Sequence, residues 1–310
     1  MNRPGHGKQA GRYGGFAGRA RRRYRPEDID PTRVTWWISV TSTEQDDSPR
    51  QVSPGPSSAE PLRPELAIIV PAYNEARCIA ATLARIRAYA VDRNQRCEVI
   101  VVDDGSADGT GDIVRRFAAE PLDLRLLVSP VNRGKGHAVR EGMLAATAEL
   151  ALMCDADLST PIKELEKLLP WLDRGYDVVI GSRDMPESVL DPPQPRLRRW
   201  LALGFRAIRR RLLLRELRDT QCGFKLLRRD AARASFSRQA TAGWLFDCEV
   251  LGIAERLGYR IKEVGVVWRD NPDSRVKPVR EALLAVPTLL SIRRRLAKMS
   301  RTTPPSAAHG

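Results

Sequence analysis

Several absences narrow the field before any motif is read. No apolar run approaches the roughly 18 to 20 residues that a bilayer-spanning helix needs, so the chain is expected to be soluble or peripheral to a membrane. The N-terminus carries arginines without the apolar stretch and cleavage pattern of a secretory signal. Five cysteines, Cys78, Cys97, Cys154, Cys222 and Cys248, are scattered, odd in number and never spaced C-x-x-C. That pattern speaks against a disulfide framework or a zinc site and fits a reducing compartment. No G-x-G-x-x-G follows the first apolar strand and no G-x-x-x-x-G-K-[ST] occurs, which argues against dinucleotide oxidoreductases and P-loop enzymes. Acidic residues are in the minority: 38 Asp and Glu face 52 Lys and Arg, a formal net charge of +14. Such an excess suits an anionic partner, whether nucleic acid, a phospholipid surface or a phosphorylated substrate.

With 310 residues, 42% of them hydrophobic, the chain can bury one large core flanked by tails. Residues 1–64 are rich in Gly, Arg, Pro and Ser, contain the basic run Arg19 to Arg25, and are expected to be largely disordered. Within them Val34 to Val40, with Trp36 and Trp37, forms an apolar island suited either to a bilayer interface or to an added strand. A second disordered tail is expected over 301–310.

Between the tails the pattern alternates. Leu66 to Val70 is a continuous apolar strand, followed by Pro71, Ala72, Tyr73, Asn74 and Glu75, then by Ile79, Leu83, Ile86 and Tyr89 at helical spacing. Cys97 to Val102 makes a second strand ending in Asp103, Asp104, Gly105 and Ser106, after which Asp108 can cap a helix carrying Ile113, Val114 and Phe117. Leu124 to Val128 is a third strand, and Gly134-Lys135-Gly136 opens a helix through Val139 and Met143. Leu150 to Cys154 is a fourth strand, and it stops at Asp155-Ala156-Asp157. This alternation predicts an α/β fold, a doubly wound and mostly parallel sheet covered on both faces, over 65–270. Such sheets bind ligands at the carboxyl ends of their strands, where three acidic or aromatic clusters here fall together.

Asp155 and Asp157 are the centre of that rim. Two carboxylates brought there without a counter-ion would repel, and one would take up a proton. A hard divalent ion, Mg²⁺ or Mn²⁺, resolves the conflict and leaves coordination positions for phosphate oxygens. A nucleotide diphosphate bearing a sugar suits such a rim.

The segments Val70 to Glu75, Val102 to Ser106, Asn132 to Gly136, Asp155 to Asp157 and Gly181-Ser182-Arg183 together resemble the inverting family 2 glycosyltransferases of GT-A fold, over about Leu66 to Trp268. Asp219 to Lys225 is similar to the branch that moves glucose from UDP-glucose onto dolichyl or polyprenyl phosphate. By that resemblance Pro71, Tyr73, Glu75, Asp103 and Asp104 belong to the base and ribose side of a nucleotide-sugar site. Lys135 would lie near the diphosphate, Asp155 and Asp157 would hold the metal, and Ala156 lies between them. Ser159 stands where some relatives have a metal-ligating Gln, and a bridging water is expected there.

A phosphate monoester, with a second pKa of about 6, is mostly dianionic at neutral pH and needs no general base. It does need cations to bring it beside the donor, and Arg183, Lys225 and Arg199 are the candidates; the bland alternative for Arg183 is pairing with a core carboxylate. A hydroxyl acceptor would instead require a base, and Asp247 then becomes the key residue. With a phosphate acceptor Asp247 orients Lys225 or its surroundings.

From Pro195 to Leu217 apolar residues (Leu197, Trp200, Leu201, Phe205, Ile208, Leu212) recur among arginines 196, 198, 199, 206, 209, 210, 211 and 215. Such a helix, with one apolar and one arginine-rich face, suits an anionic membrane interface. A second basic amphipathic segment is expected over 271–300, where Val279 to Ile292 leads into Arg293-Arg294-Arg295. The expected setting is cytoplasmic and peripheral, on the inner face of the membrane, and nucleic acid is not an expected partner.

Overall fold

The structure, a computed structural model, describes residues 64–118, 122–191, 196–269 and 278–300, with side chains omitted for 196–202 and 278–284. The tail, the basic run, the Trp36 island and 301–310 therefore lie outside the described residues.

The apolar runs form strands where their pattern predicts, β1 (Leu66–Ala72), β2 (Cys97–Asp103), β3 (Asp123–Val128) and β4 (Leu150–Met153), and β5 (Val178–Ser182) follows. Between them lie α1 (Ile79–Asp92), α2 (Thr110–Phe117), α3 (Lys135–Ala145) and α4 (Leu165–Asp173). The second half adds β6 (Val189–Asp191), α5 (Arg196–Leu212), β7 (Lys225–Arg228), α6 (Arg229–Phe236), α7 (Phe246–Arg256), β8 (Ile261–Gly265), β9 (Val267–Arg269) and α8 (Pro278–Lys298). Seven strands make one sheet in the order β3-β2-β1-β4-β7-β5-β8, and β6 pairs with β9 beside it. All pairings in the large sheet are parallel except those of β7, which runs against both neighbours.

Alternate residues along each strand face opposite layers. Leu66, Ile68, Val70, Val99 and Val101 point to α1, α2 and α4, meeting Leu83, Val114 and Leu168. Ala67, Ile69, Ile100 and Met153 point to α3, α6 and α7, meeting Met143, Phe236 and Val250. Burying a Leu, Ile or Phe side chain contributes roughly 1.5–3 kcal/mol, so these two layers hold the sheet rigid and leave its carboxyl rim to the loops. A third cluster joins α7 to α8 and α5 through Cys248, Ile253, Leu289, Ile292 and Leu296, with Phe205 and Leu212 against it.

The amphipathic expectation for α5 is corrected in one respect. Arginine does not keep to the outer face: Arg209 is fully buried, whereas Leu203 and Ile208 are 50% and 42% exposed. Arg209 is tolerated inside because its guanidinium donates to the carbonyls of Leu214, Leu217 and Arg218 at 2.6–2.7 Å, satisfying most of its donors. All five cysteines are free, and no described helix is long and apolar enough to cross a membrane.

Candidate active site

The rim is assembled loop by loop. After β1 the chain turns through Asn74, whose φ of 56° is the left-handed conformation that Asn tolerates. The Asn74 amide donates to Ser106 Oγ at 2.8 Å, its side-chain Oδ1 accepts from Ala107 N at 2.8 Å, and Glu75 N donates to Thr110 Oγ1 at 2.8 Å. These bonds tie the Tyr73–Glu75 loop to the loop after β2. Tyr73 is left 43% exposed at the rim, while Pro71 is buried in β1.

Asp103 and Asp104 are both buried. Asp103 Oδ1 accepts from Ser106 N at 2.9 Å. Asp104 accepts from the amides of Arg133 and Gly134 at 2.9 and 2.7 Å, so it holds the loop that opens α3. Gly134 there has φ 104°, and a Cβ on it would meet the Ala242 carbonyl at 2.6 Å. The loop is thus pressed against the segment before α7.

Lys135, next in line, places Nζ 2.5 Å from Asp155 Oδ1 and 5.0 Å from the ring centre of the exposed Trp244. Burial opposes the lysine's charge, but Asp155, Asp247 and Asp157 outweigh it and raise its pKa. Burial likewise opposes ionisation of Asp155, and Lys135, then Lys225 and Arg183, overcome it and hold the carboxyl below the ordinary range. Gly223 backs this carboxylate so closely that a Cβ would fall 2.0 Å from Asp155 Oδ2.

Asp157 Oδ1 accepts from Ser159 N at 2.9 Å and Ser159 Oγ at 2.8 Å. Ser159 therefore orients the second carboxylate. Between the aspartates, the Ala156 carbonyl accepts from Thr82 Oγ1 at 2.7 Å and from the Cys78 thiol at 3.5 Å. Cys78 also donates to Glu75 Oε2 at 3.1 Å. Burial, then Glu75, pushes its pKa up to about 12, so it remains a thiol and links the β1 loop to the aspartate turn. Among the described residues no group of three or more His, Cys, Asp or Glu is gathered as a metal site. The hard-oxygen pair nevertheless fits a divalent ion that takes its remaining ligands from phosphate and water, and Asp155 already attracts a cation, Lys135.

On the other side of β4, Lys225 opens β7 and pairs across with Met153 and Ile180. It shares the face of Leu227, under α7. Its Nζ donates to the Cys222 carbonyl at 2.5 Å and lies 2.6 Å from Asp247 Oδ1, with both side chains buried. That ion pair is close but poorly angled, and Oδ1 makes no well-formed hydrogen bond. Burial raises the Asp247 pKa against the pull of Lys225 and Lys135. Lys225 is therefore already partnered and acts on the rim through its charge.

Arg183 follows β5. Its Nε and Nη2 donate to Asp219 at 2.7 and 2.9 Å and its backbone N donates to the same carboxylate at 3.1 Å, the carboxylate pairing that was the alternative for this residue. Burial would raise the Asp219 pKa, but Arg183 and the Gln221 and Arg183 amides hold it well below the ordinary range. Arg183 stays 25% exposed, lies 5.6 Å over Trp268, and contributes to the field at Asp155. The side chain of Arg199 lies outside the described residues.

The structure thus joins Lys135, Asp155, Asp157, Lys225, Asp247 and Arg183 in one charged cluster. Asn74 and Ser106 belong to the rim clusters read from sequence and Ser159 was placed by its spacing from Asp157, whereas the bracing by Cys78 and the close approach of Gly223 carried no signal.

Comparison with known proteins agrees with this architecture. The model of glycosyl transferase family 2 matches residues 67–236. A dolichyl-phosphate beta-glucosyltransferase of Trichomonas vaginalis is 37% identical over 259 residues, covering 80% of this chain and 75% of that protein. The Mus musculus dolichyl-phosphate beta-glucosyltransferase is 36% identical over 245 residues, covering 74% and 75%. Among solved structures, glucosyl-3-phosphoglycerate synthase from Mycobacterium tuberculosis, in complex with Mn²⁺, UDP and glucosyl-3-phosphoglycerate, superposes with a TM-score of 0.58 at 20% identity, covering 78% of this chain and 82% of that one. The strand order, the acidic rim and these relatives lead to one conclusion: the chain belongs to glycosyl transferase family 2, has the GT-A fold, and is a glycosyltransferase.

Proposed function

We propose that the enzyme transfers glucose from UDP-glucose onto a polyprenyl phosphate at an anionic membrane surface, with Mg²⁺ or Mn²⁺ held by Asp155 and Asp157. The observation that carries this is the field around Asp155, where Lys135, Lys225 and Arg183 converge from three elements. Three cations beside one carboxylate suit a reaction in which an anionic donor and an anionic acceptor must meet.

Tyr73 and Glu75, braced by the β2 loop, receive the base and ribose, with Asp103, Asp104 and Ala156 shaping that side of the site. Lys135 sits beside the diphosphate. The bound ion would act as a Lewis acid on the departing nucleotide. Arg183, the most exposed of the three cations, receives the acceptor phosphate, and Lys225 adds charge from beneath. An acceptor phosphate oxygen then bonds to the anomeric carbon as the bond to UDP breaks, with inversion and without transfer of a proton. Asp247 keeps Lys225 in place.

The relatives named dolichyl-phosphate beta-glucosyltransferases favour this acceptor. A hydroxyl acceptor would need Asp247 as base, but its carboxylate is buried and occupied by Lys225. Exposed Leu203 and Ile208 on α5, beside exposed Arg210 and Arg211, favour seating on an anionic bilayer on the cytoplasmic side. Incubation with radiolabelled UDP-glucose, polyprenyl phosphate and Mn²⁺ should give an organic-extractable, mild-acid-labile product, and a chelator should abolish it. Label confined to a water-soluble product would overturn the assignment.

A further inference from the structure

Two arginines of α5 make contacts beside Arg183 and beside its partner Asp219. Arg206 ion-pairs with Asp184, the residue next to Arg183 in the chain. Arg209, three residues along and so on the same helix face, clamps the carbonyls of Leu214, Leu217 and Arg218. That segment leads directly into Asp219, the bidentate partner of Arg183. On its other edge, Glu263 of β8 accepts from the amides of Arg218 and Asp219 at 2.8 and 2.7 Å, so the turn is held between α5 and the sheet.

We infer that Arg206 and Arg209 are positioning residues for acceptor binding: through Asp184 and the 214–218 turn, α5 fixes where the Arg183 guanidinium stands. The inference rests on Arg183 being the acceptor-phosphate cation. Arg206 is partly exposed and Arg209 fully buried, yet both act through backbone or carboxylate groups flanking Arg183. The opposite face of the helix, with Leu203, Ala207 and Arg211, is exposed. Whatever seats that face therefore also sets the acceptor cation, making α5 a coupling element as well as a surface one.

The test uses the full chain with polyprenyl phosphate in detergent, so that vesicle docking does not enter the readout. Acceptor KM is measured for Arg206→Gln, Arg206→Lys, Asp184→Asn, Arg209→Lys and Arg183→Gln, and UDP-glucose affinity is followed by calorimetry with Mn²⁺. Arg206→Gln should raise acceptor KM about tenfold, the loss of one charge-assisted contact, with donor affinity unchanged. Arg206→Lys should restore much of it. The Arg206→Gln/Asp184→Asn double variant should be no worse than either single. Arg209→Lys, which keeps charge but loses the fork across the carbonyls, should show the same selective rise. If Arg183→Gln raises acceptor KM but the α5 variants do not, or if they weaken donor and acceptor alike, the positioning role is overturned. If Arg183→Gln itself leaves acceptor KM unchanged, the acceptor assignment fails and this inference fails with it.

Discussion

At Gly223 the backbone comes so near Asp155 that no other residue fits without moving the carboxylate. Gly223→Ala is expected to leave the thermal unfolding midpoint close to wild type, because Asp155 is partly exposed and can swing outward. Steady-state kinetics should show kcat/KM lowered about 100-fold, the scale expected when a site group is misplaced by about an ångström. Asp219 makes the opposite case, in which stability carries the signal. Its carboxyl titrates below the unfolded value of about 3.9. Its contribution is therefore complete above that value and is lost as pH falls through the folded pKa. Asp219→Asn leaves Arg183 uncompensated and should cost about 3 kcal/mol at neutral pH. Urea unfolding should show the gap to wild type narrowing below about pH 4.

At the scale of elements, the opening of α3 is the most constrained turn. Gly134→Ala would set a side chain at φ 104° against the Ala242 carbonyl. A loss of about 1–3 kcal/mol in chemical denaturation is expected, with weaker UDP-glucose binding by calorimetry because Lys135 moves with the turn. Elements with continuous apolar runs, such as β1, β2 and β4, were legible in the sequence because burial on both faces requires those runs. β7 was not: Lys-Leu-Leu-Arg is too short and too charged at its ends to show a period. α7 hid for a related reason, since Asp247 and Glu249 are polar residues on a helix whose first turns are buried. Glu249 is matched by Arg295 at 2.7 Å and by the amides of Ala240 and Thr241, partners too distant in sequence or too generic to foresee. The aspartate pair, Lys135 and the β1 and β2 loops were legible because each ends a recognisable strand or opens a helix. The commitments of Arg183 to Asp219 and of Arg209 to three carbonyls depend on contacts that only the folded chain makes.

For the whole molecule, the net charge of +14 finds a local expression on the outer helices. Val286 and Leu290 of α8 are 40% and 38% exposed, beside exposed Arg293 and Arg294, much as Leu203 and Ile208 lie beside Arg210 and Arg211 on α5. The protein is expected to cosediment with vesicles containing phosphatidylserine and not with neutral phosphatidylcholine vesicles. Binding should weaken as salt rises from 0.01 to 1 M, where the screening length shrinks from about 30 to 3 Å. Leu203→Glu/Ile208→Glu should reduce cosedimentation severalfold while sparing turnover of detergent-dispersed acceptor.

The reversed strand β7 has a consequence for how such a protein can change. Because it runs against β4 and β5, its first residue, not its last, reaches the ligand-binding edge, and the loop feeding it can be remodelled without disturbing any strand that carries the nucleotide. The freedom is bounded by parity. An insertion that shifted pairing by one residue would turn Lys225 toward the α1 and α4 layer and put Phe224 or Leu226 beneath Asp155. Lengthening is therefore ruinous after Gly223, and ahead of it must leave the hold of Asp219 on Arg183 in place.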